Sequence, residues 1–361
     1  MQSDEEIRGN RGEWSELYTL GYLLGNGGAF GADENQSRME ELFYKVLEIY
    51  LAGRTADEEL QYRISDESVK IILAGTEVGQ VSRTELVSQV EKFFEDLTEY
   101  DIGPTFPLPS GSALLKVLNK RTISAPSTQH TSDMDIVFED RDSKLPTPRV
   151  GFSIKSQVGN ASTLLNAGKG TNFEYEIQIP DGLNSDLLET LDQSKVRSNL
   201  AHLVSLGYKF KFTKIVSENF QANLELLDSR MPEYLAELLL NFYAGKPSKF
   251  SEVVDETFPN SEKKNTQKYF KMKQFLGVVA MGMRPNDQWD GDVTKFKGLI
   301  VVKTDGDVVF YYLYNINNFQ DFLFNSVKFE VASTSRHQFG KPFKDQGTWK
   351  IHLNLQIRFI K

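Results

Sequence analysis

Two short runs in the middle of the chain constrain its fold more than any other feature. Residues 133–138 and 149–156 both have the composition of strands, and the segment between them is polar and contains two prolines. Because so short a polar segment joins them, we expect the two strands to pair as a hairpin. The chain therefore needs a β-sheet that contains this hairpin.

The hairpin brings acidic residues and a lysine together. Side chains alternate along a strand, so Asp133 and Asp135 share one face of the first strand. Ser153, Lys155 and Gln157 likewise share one face of the second. Phosphodiester hydrolysis needs carboxylates that hold a divalent ion, usually Mg²⁺, and a lysine that orients the water or neutralises the phosphate. The pattern predicts a nuclease site with Asp135 as a metal ligand and Lys155 as a catalytic residue; solvated strand ends are the alternative.

One position of this predicted site lacks an acid. Nucleases with the PD-(D/E)xK motif have Asp or Glu two residues before the lysine. This chain has Ser153 at that position, and we keep Ser153 among the predicted catalytic residues. A neutral hydroxyl is a poor Mg²⁺ ligand, so another carboxylate must replace the missing one. The Arg-Gly-x-x-x-Glu pattern at residues 11–16 resembles the first helix of several such nucleases. That resemblance favours Glu16 as the ligand, with Glu13 on the same helical face second and Glu174 and Glu176 in reserve.

The remaining patterns predict a mixed α/β (α+β) protein. Apolar residues have helical spacing at residues 13–24, 36–51, 83–97, 111–119, 195–206, 232–243 and 265–283, with a helical turn at 161–167. Strands are predicted at residues 60–64, 69–74, 171–179 and 350–360, and a hairpin with an Asp-Gly turn at 298–303 and 308–314. We expect a PD-(D/E)xK nuclease core, in which helices flank a mixed sheet, followed by a C-terminal α+β extension.

Length and composition set the organisation. A chain of 361 residues with 40% hydrophobic and 25% charged residues is typical of globular proteins large enough for two domains. We place a nuclease core at residues 1–180 and a part for DNA recognition and dimerisation at 181–361, with one intertwined domain as the alternative. Cysteine is absent, and no segment has the length and apolarity of a signal peptide or a membrane span. We therefore expect a soluble, cytoplasmic protein without a membrane partner.

The net charge of −9 leaves the partner open. Only cations close to phosphates release counterions, so the position of the basic residues decides whether the chain binds DNA. Arg336 is the first candidate for reading bases, because a guanidinium pairs bidentately with guanine, and Ser335 and His337 lie beside it. A structural ion pair is the alternative for Arg336.

Further DNA contacts are predicted in three other places. Five lysines lie within residues 263–273, where they fit either phosphate contacts or an ordinary solvated helix face. Of these five we choose Lys268 as the predicted DNA contact. Asn166 follows the hairpin strands, and Gln157 shares the strand of the catalytic lysine. Lys209, Lys211 and Lys214 fit either phosphate contact or the protection of an exposed sheet edge.

Several sequence blocks, in order along nearly the whole chain, resemble the HpaII family of type II restriction endonucleases. They are residues 10–18 (NRGEWSELY), 151–156 (GFSIKS), 161–167, 171–173, 289–291, 298–312, 333–337 and 354–359. The resemblance implies a Mg²⁺-dependent homodimer that cuts both strands of unmodified duplex DNA at a short palindrome, leaving 5′-phosphate ends. The site is CCGG for the type member of the family, and a companion methyltransferase protects the host DNA.

Two other functions stay open on the sequence. One is a modification-dependent or structure-selective nuclease of the PD-(D/E)xK type. The other is a non-catalytic DNA-binding protein on a decayed nuclease fold, which the serine at position 153 favours.

Overall fold

The computed structural model describes residues 7–53, 55–99, 103–123, 132–159, 161–259, 263–291 and 298–360. In these ranges the helices are α1 (Arg11–Asn26), α2 (Arg83–Glu99), α3 (Pro109–Val117), α4 (Asp186–Glu189), α5 (Val196–Ser205), α6 (Glu218–Leu227), α7 (Met231–Tyr243), α8 (Phe250–Thr257), α9 (Lys263–Ala280), α10 (Ile316–Ser326) and α11 (Thr334–His337). The strands are β1 (Arg8–Gly9), β2 (Gly28–Ala32), β3 (Arg38–Leu51), β4 (Leu60–Ile64), β5 (Ser68–Leu73), β6 (Thr76–Ser82), β7 (Phe106–Pro107), β8 (Met134–Phe138), β9 (Val150–Ser156), β10 (Thr163–Leu165), β11 (Asn172–Gln178), β12 (Lys209–Ile215), β13 (Gly298–Val302), β14 (Val308–Tyr311), β15 (Val327–Phe329), β16 (Phe343–Asp345), β17 (Thr348–Asn354) and β18 (Ile357–Phe359).

The chain divides into two compact units. Unit 1 comprises Met1–Ala161 and Phe296–Phe319, and unit 2 comprises Ser162–Lys295 and Gln320–Lys361. The later segment returns to unit 1 because β13 pairs in parallel with β9. Compactness does not test which unit performs catalysis or recognition, so that division of roles stays a prediction.

Unit 1 is built on a nine-stranded mixed sheet in the order β2-β14-β13-β9-β8-β3-β4-β5-β6. Because β2 pairs with β3 as well as with β14, the first six strands form a closed ring. The predicted hairpin of β8 and β9 is confirmed, with Met134 opposite Phe152 and Asp135 opposite Gly151. The hairpin of β13 and β14 around an Asp-Gly turn is confirmed as well.

The helix predicted at residues 36–51 is wrong, because this segment is the long strand β3. Its buried residues Leu42, Tyr44 and Val46 alternate with exposed ones, which is the period of a strand. Leu42 and Val46 also lie four residues apart, so the same apolar positions fit a helix. Pairing decides between the two, since β2 covers the first half of β3, and β8 and β4 cover the second.

Unit 2 contains a four-stranded sheet in the order β12-β11-β17-β16 and a three-stranded sheet in the order β10-β18-β15. Tyr175 and Tyr243 are buried, and their hydroxyls donate to the carbonyls of Ala236 (2.8 Å) and Asn354 (3.0 Å), which ties α7 to the four-stranded sheet. The helical turn predicted at 161–167 is wrong, because residues 163–165 pair with β18. The closing strand predicted at 350–360 is interrupted and forms β17 and β18.

No helix in the part of the chain that the structure describes has the length and apolarity to cross a membrane. The coarse prediction of a mixed α/β architecture is confirmed by these sheets and helices.

We expect Gly298→Ala to destabilise the protein. Gly298 lies opposite Phe152 on the neighbouring strand, and a Cβ atom there would lie 1.9 Å from the Phe152 ring, which is fully buried. Overpacking of this kind costs about 1–3 kcal/mol. Chemical denaturation should show this loss in the free energy of unfolding.

The matched control is Gly79→Ala on β6, where the new Cβ would lie 3.7 Å from Ile71, an ordinary contact. Equal stability of the two variants would show that the packing of β13 against β9 is not tight.

Candidate active site

Helix α1 is fixed at both ends, and this determines where its side chains lie. Asn10, its N-cap, accepts a hydrogen bond from the backbone N of Glu13 (3.0 Å), and the Glu13 carboxylate accepts one from the backbone N of Asn10 (2.8 Å). At the other end Gly27 has φ 72°, the left-handed conformation that glycine favours after a helix. Glu16 therefore lies one turn inside a helix whose start and end are both set.

A contact between two serines joins α1 to β9. Ser15 is fully buried, and its Oγ lies 2.9 Å from Oγ of Ser156. Ser15 precedes Glu16 in the chain, and Ser156 follows Lys155. The contact therefore brings the helix and the strand together next to both charged residues.

Glu16 lies among charges from three other segments of unit 1. The pKa of Glu16 is raised to about 7, first by burial and next by the negative charge of Asp133, with a smaller contribution from Glu13. The positive charges of Lys120 and Lys155 lower it. Glu16, Asp133, Lys120 and Lys155 are called the Glu16 cluster below. The predicted ligand Glu16 and the predicted catalytic Lys155 thus interact electrostatically.

A cavity of about 760 Å³ lies beside this cluster. Glu16, Lys120 and Asp133 line it, together with apolar side chains such as Leu17 and Leu20. Binding sites for small groups are commonly clefts of this size, with an apolar wall and a few polar groups. The charged part of the cavity can therefore receive a phosphate group and a hydrated ion.

The two aspartates of this region are held differently. Asp133 Oδ2 accepts a hydrogen bond from the backbone N of Ile154 on β9 (2.6 Å), and Asp133 lines the cavity. Asp135 Oδ1 accepts one from Ser132 Oγ (2.9 Å). A Cβ atom on Gly151 would lie 2.9 Å from Ser132 Cβ and 3.3 Å from Asp135 Oδ1, so the glycine leaves room for this pair. Asp133 is therefore the aspartate that shares the cavity with the helix carboxylate.

Ser153 and Lys155 lie on the same face of β9, where both are partly exposed and alternate with buried residues. Gln157 follows the strand, and its Nε2 donates to Oε1 of Gln36 (2.7 Å). The predicted grouping of Ser153 with Lys155 is present, whereas the amide of Gln157 is engaged within unit 1.

The second-ranked carboxylate Glu13 and the two reserve carboxylates have other partners. Glu13 belongs to the helix cap described above. Glu174 is buried in unit 2, where its carboxylate accepts from Thr213 Oγ1 (3.0 Å) and pairs with Lys350 (3.1 Å). Glu176 lies opposite Lys350 in the register of β11 and β17. Neither acid of unit 2 belongs to the Glu16 cluster.

Lys120 is a member of the cluster that the sequence patterns do not indicate. Its Nζ donates to the carbonyl oxygens of Thr122 and Ile123, and burial lowers the pKa of Lys120 to about 8, against the opposing effect of Glu16. It follows a short helix and belongs to no motif. Asn119 has φ 51°, in the left-handed region that asparagine adopts more often than most residues. An asparagine at this position is the one local sign of a turn before Lys120.

The carboxylates of the cluster fit a magnesium site of the open kind. Mg²⁺ prefers oxygen ligands and is often held by one or two carboxylates together with waters and substrate phosphates. Glu16 and Asp133 supply two carboxylates whose mutual repulsion a divalent cation would relieve. Among the residues that the structure describes, no group of three or more Asp, Glu or His side chains converges as a complete metal site.

The predicted DNA contacts of unit 2 include exposed side chains. Ser335 and Arg336 are exposed on α11, His337 is partly buried there, and Asn166 is exposed just after β10. Arg358 forms an ion pair, with its Nη1 3.0 Å from Glu330.

The lysines of α9 are largely engaged within unit 2. Nζ of Lys268 lies 4.2 Å from the centre of the Phe258 ring, a cation–π contact. Lys271 donates to the carbonyl of Leu227 (3.1 Å), and Lys273 pairs with Asp321. The side chains of Lys263 and Lys264 lie outside the described residues. These contacts favour a packing role for Lys268, and its contact with phosphate stays a prediction.

Comparisons with known proteins agree with the motifs. The model of the HpaII restriction endonuclease family matches residues 10–359. The chain is 34% identical over 364 residues to the type II restriction enzyme HpaII of Haemophilus parainfluenzae, which covers 99% of each chain. No solved structure matches. The resemblance seen in separate blocks of the sequence is thus confirmed over nearly the whole chain.

We expect Glu16→Gln to stabilise the metal-free protein at alkaline pH. The pKa of Glu16 rises from 4.5 to about 7 on folding, so its ionisation opposes folding, and this cost develops between pH 4.5 and 7. Glutamine does not ionise, so the Glu16→Gln variant does not have this unfavourable contribution to folding. Its free energy of unfolding should exceed that of the wild type by up to about 3 kcal/mol at pH 8, and by much less at pH 5. Urea denaturation in EDTA at both pH values measures the difference.

Glu95→Gln, the same change at an exposed position of α2, is the control and should have little effect at either pH. A Glu16→Gln variant that is less stable than the wild type at pH 8 would contradict the conclusion that ionisation of Glu16 opposes folding.

Proposed function

We propose, since this chain belongs to the HpaII restriction endonuclease family, that it is a type II restriction endonuclease that hydrolyses double-stranded DNA at a short palindrome. The observation that carries the proposal is the Glu16 cluster: Glu16, Asp133 and Lys120 line one cavity, and the charge of Lys155 acts on Glu16. Metal-dependent phosphodiester hydrolysis can use acids that hold the ion and a lysine that stabilises negative charge.

The proposed roles follow from the positions of the side chains. Glu16 and Asp133 hold the cation from opposite elements, α1 and the start of β8. The sequence pattern also assigns Asp135 to the ligands, on the strand face of Asp133. Among the described residues it does not converge with Glu16 and Asp133 into one group of three acids. Lys155 orients the attacking water or neutralises the charge that develops on the phosphate. Ser153 occupies the position of the missing acid, and Glu16 supplies the charge that a serine lacks.

The proposed cofactor is Mg²⁺. When bound, it stabilises charge on the phosphate and lowers the pKa of a coordinated water. The chain contributes the carboxylates, a cavity partly lined by apolar groups, and Lys120 as a second positive charge. With α1 across them, β8 and β9 would then be the catalytic part of a PD-(D/E)xK core.

The biological context is proposed from the family. We expect the enzyme to act as a homodimer, because a palindrome presents the same half-site to each of two copies. The proposed products have 5′-phosphate ends, and CCGG is the expected site. A methyltransferase that modifies the same sequence would protect the host.

We expect the protein to cut unmodified plasmid DNA in Mg²⁺ into discrete fragments. Sequencing of the fragment ends reports the recognition site and the stagger of the cut together. Ends that fall at one palindrome, and at CCGG in particular, would support the proposal.

Three other outcomes contradict it. Cleavage of methylated DNA alone would indicate a modification-dependent nuclease. Cleavage at branched or mismatched structures without sequence preference would indicate a structure-selective one. Tight binding without cleavage in Mg²⁺ or Mn²⁺ would indicate a DNA-binding protein on a decayed nuclease fold.

We expect Lys155→Ala to abolish cleavage while DNA binding persists. Loss of a group that stabilises charge in the transition state lowers the rate by roughly 100-fold or more. Binding rests on many contacts elsewhere, so the affinity for duplex DNA in Ca²⁺ should change only a few-fold. Lys116→Ala, at an exposed position of α3, is the control. Normal plasmid cleavage by the Lys155 variant would remove this residue from the mechanism.

A further inference from the structure

Two segments, which lie in unit 2 apart from Ala161, contain no acidic residue. Residues 161–172 and 331–344 lack Asp and Glu, although the whole chain has 50 acidic residues among 361. The same segments contain Lys169, Arg336, Lys341 and Lys344, along with many Gly, Ser, Thr and Asn residues. In an acidic protein, segments of this composition are the places where a polyanion meets the least repulsion.

A buried pair of asparagines ties the two segments together. Asn172 begins β11 and lies opposite Asn354, which ends β17, and both side chains are buried. Nδ2 of Asn354 lies 2.8 Å from the carbonyl oxygen of Gly168 and 2.7 Å from Oδ1 of Asn172. Nδ2 of Asn172 donates to the carbonyl oxygen of His337 (2.9 Å). A continuous chain of hydrogen bonds therefore links the first segment to the second.

A backbone contact holds the second segment at the same end of the four-stranded sheet. The backbone N of Gly340 donates to the carbonyl oxygen of His352 on β17 (2.9 Å). Gln338, with φ 55°, and Gly340, with φ 84°, are both in the left-handed conformation, so the chain turns tightly after α11. The turn fixes the segment in position and leaves its polar side chains in solvent.

Several of the exposed side chains of the two segments are positively charged. Lys169 from the first segment, and Arg336 and Lys341 from the second, are exposed, as is Asn166. The acids that adjoin the segments in sequence are already paired: Glu330 with Arg358, and Asp345 with Lys350. The positive charge of the surface is thus not cancelled by these neighbours.

We infer that the two segments, residues 161–172 and 331–344, form one surface that contacts the backbone of double-stranded DNA. The inference rests on the proposed function and adds to it Lys169 and Lys341 as phosphate contacts, with Arg336 contacting phosphate on a duplex that lacks the recognition site. Exposed cations positioned by a buried amide pair match the phosphates of a duplex, and short polar side chains between them can reach base edges. The surface unites the predicted contacts Asn166 and Arg336.

The test measures the salt dependence of binding to a labelled duplex of unrelated sequence, by fluorescence anisotropy in Ca²⁺ without Mg²⁺. Each phosphate contact contributes about 0.9 to the slope of log affinity against log salt. We expect the slope to fall by about 2 in Arg336→Gln/Lys341→Gln and by about 1 in Lys169→Gln. All three residues are exposed, so neither variant removes a packed side chain.

The matched control is Lys246→Gln/Arg284→Gln, which removes two exposed charges from other parts of the same unit. Its slope should equal that of the wild type. An equal fall in the control would show that net charge, not this surface, governs binding. A fall in the Arg336 and Lys341 variant alone would overturn the two-segment surface. Unchanged slopes in every variant, or a changed oligomeric state on size-exclusion chromatography, would overturn the DNA surface altogether.

Plasmid cleavage by the wild-type enzyme in Mg²⁺ separates this inference from the proposed function. Site-specific cleavage together with unchanged slopes would leave the function standing and remove the surface. Reduced slopes without any cleavage would support the surface and remove the nuclease.

Discussion

The antiparallel register between β8 and β9 is the constraint on which the candidate active site depends. It sets Asp135 opposite Gly151 and allows the carboxylate of Asp133 to accept from the backbone of Ile154. A shift of one residue would turn every side chain of one strand to the other face. Lys155 would then point away from the acids. The aromatic core guards against this shift, because the ring of Phe152 stacks on Phe310 of β14 at 5.1 Å.

The second requirement of the site is electrostatic. Glu16 is partly buried beside another carboxylate, an arrangement that opposes folding when the acid is ionised. Lys120 and Lys155 offset part of the repulsion, and a divalent cation would offset more. α1 packs against the rest of unit 1 through the buried residues Trp14 and Ser15. This packing holds the carboxylate of Glu16 in position despite the electrostatic cost of its ionisation. A cation bound between the two carboxylates would therefore remove much of this cost.

The sequence reveals the parts of this site that lie on regular elements and misses those that do not. Lys155 and Asp135 follow from alternation along two strands, and Glu16 from resemblance in the first helix. Lys120 lies in a turn after a short helix, where no periodicity applies. The choice of Asp133 for the cavity depends on a hydrogen bond across the hairpin, which spacing alone cannot specify.

The wrong helix at residues 36–51 has the same kind of cause. Apolar residues four apart fit both periods, and the strand is selected by partners that lie far away in sequence, β2, β4 and β8. The hairpins were predictable because their partners are adjacent in the chain. At residues 36–51 the local pattern fits both periods, so only the distant partners could decide.

The acidic character of the chain bears on how it would select DNA. A net charge of −9 repels a polyanion over most of the surface, so binding must rely on segments from which acids are missing. Residues 161–172 and 331–344 are such segments, and the asparagine pair holds them in one place. Affinity confined to a small surface weakens non-specific binding, which depends on the number of phosphate contacts, more than it weakens the reading of base edges. For an enzyme that must ignore most of a genome, the negative charge elsewhere would then contribute to specificity as well as to solubility.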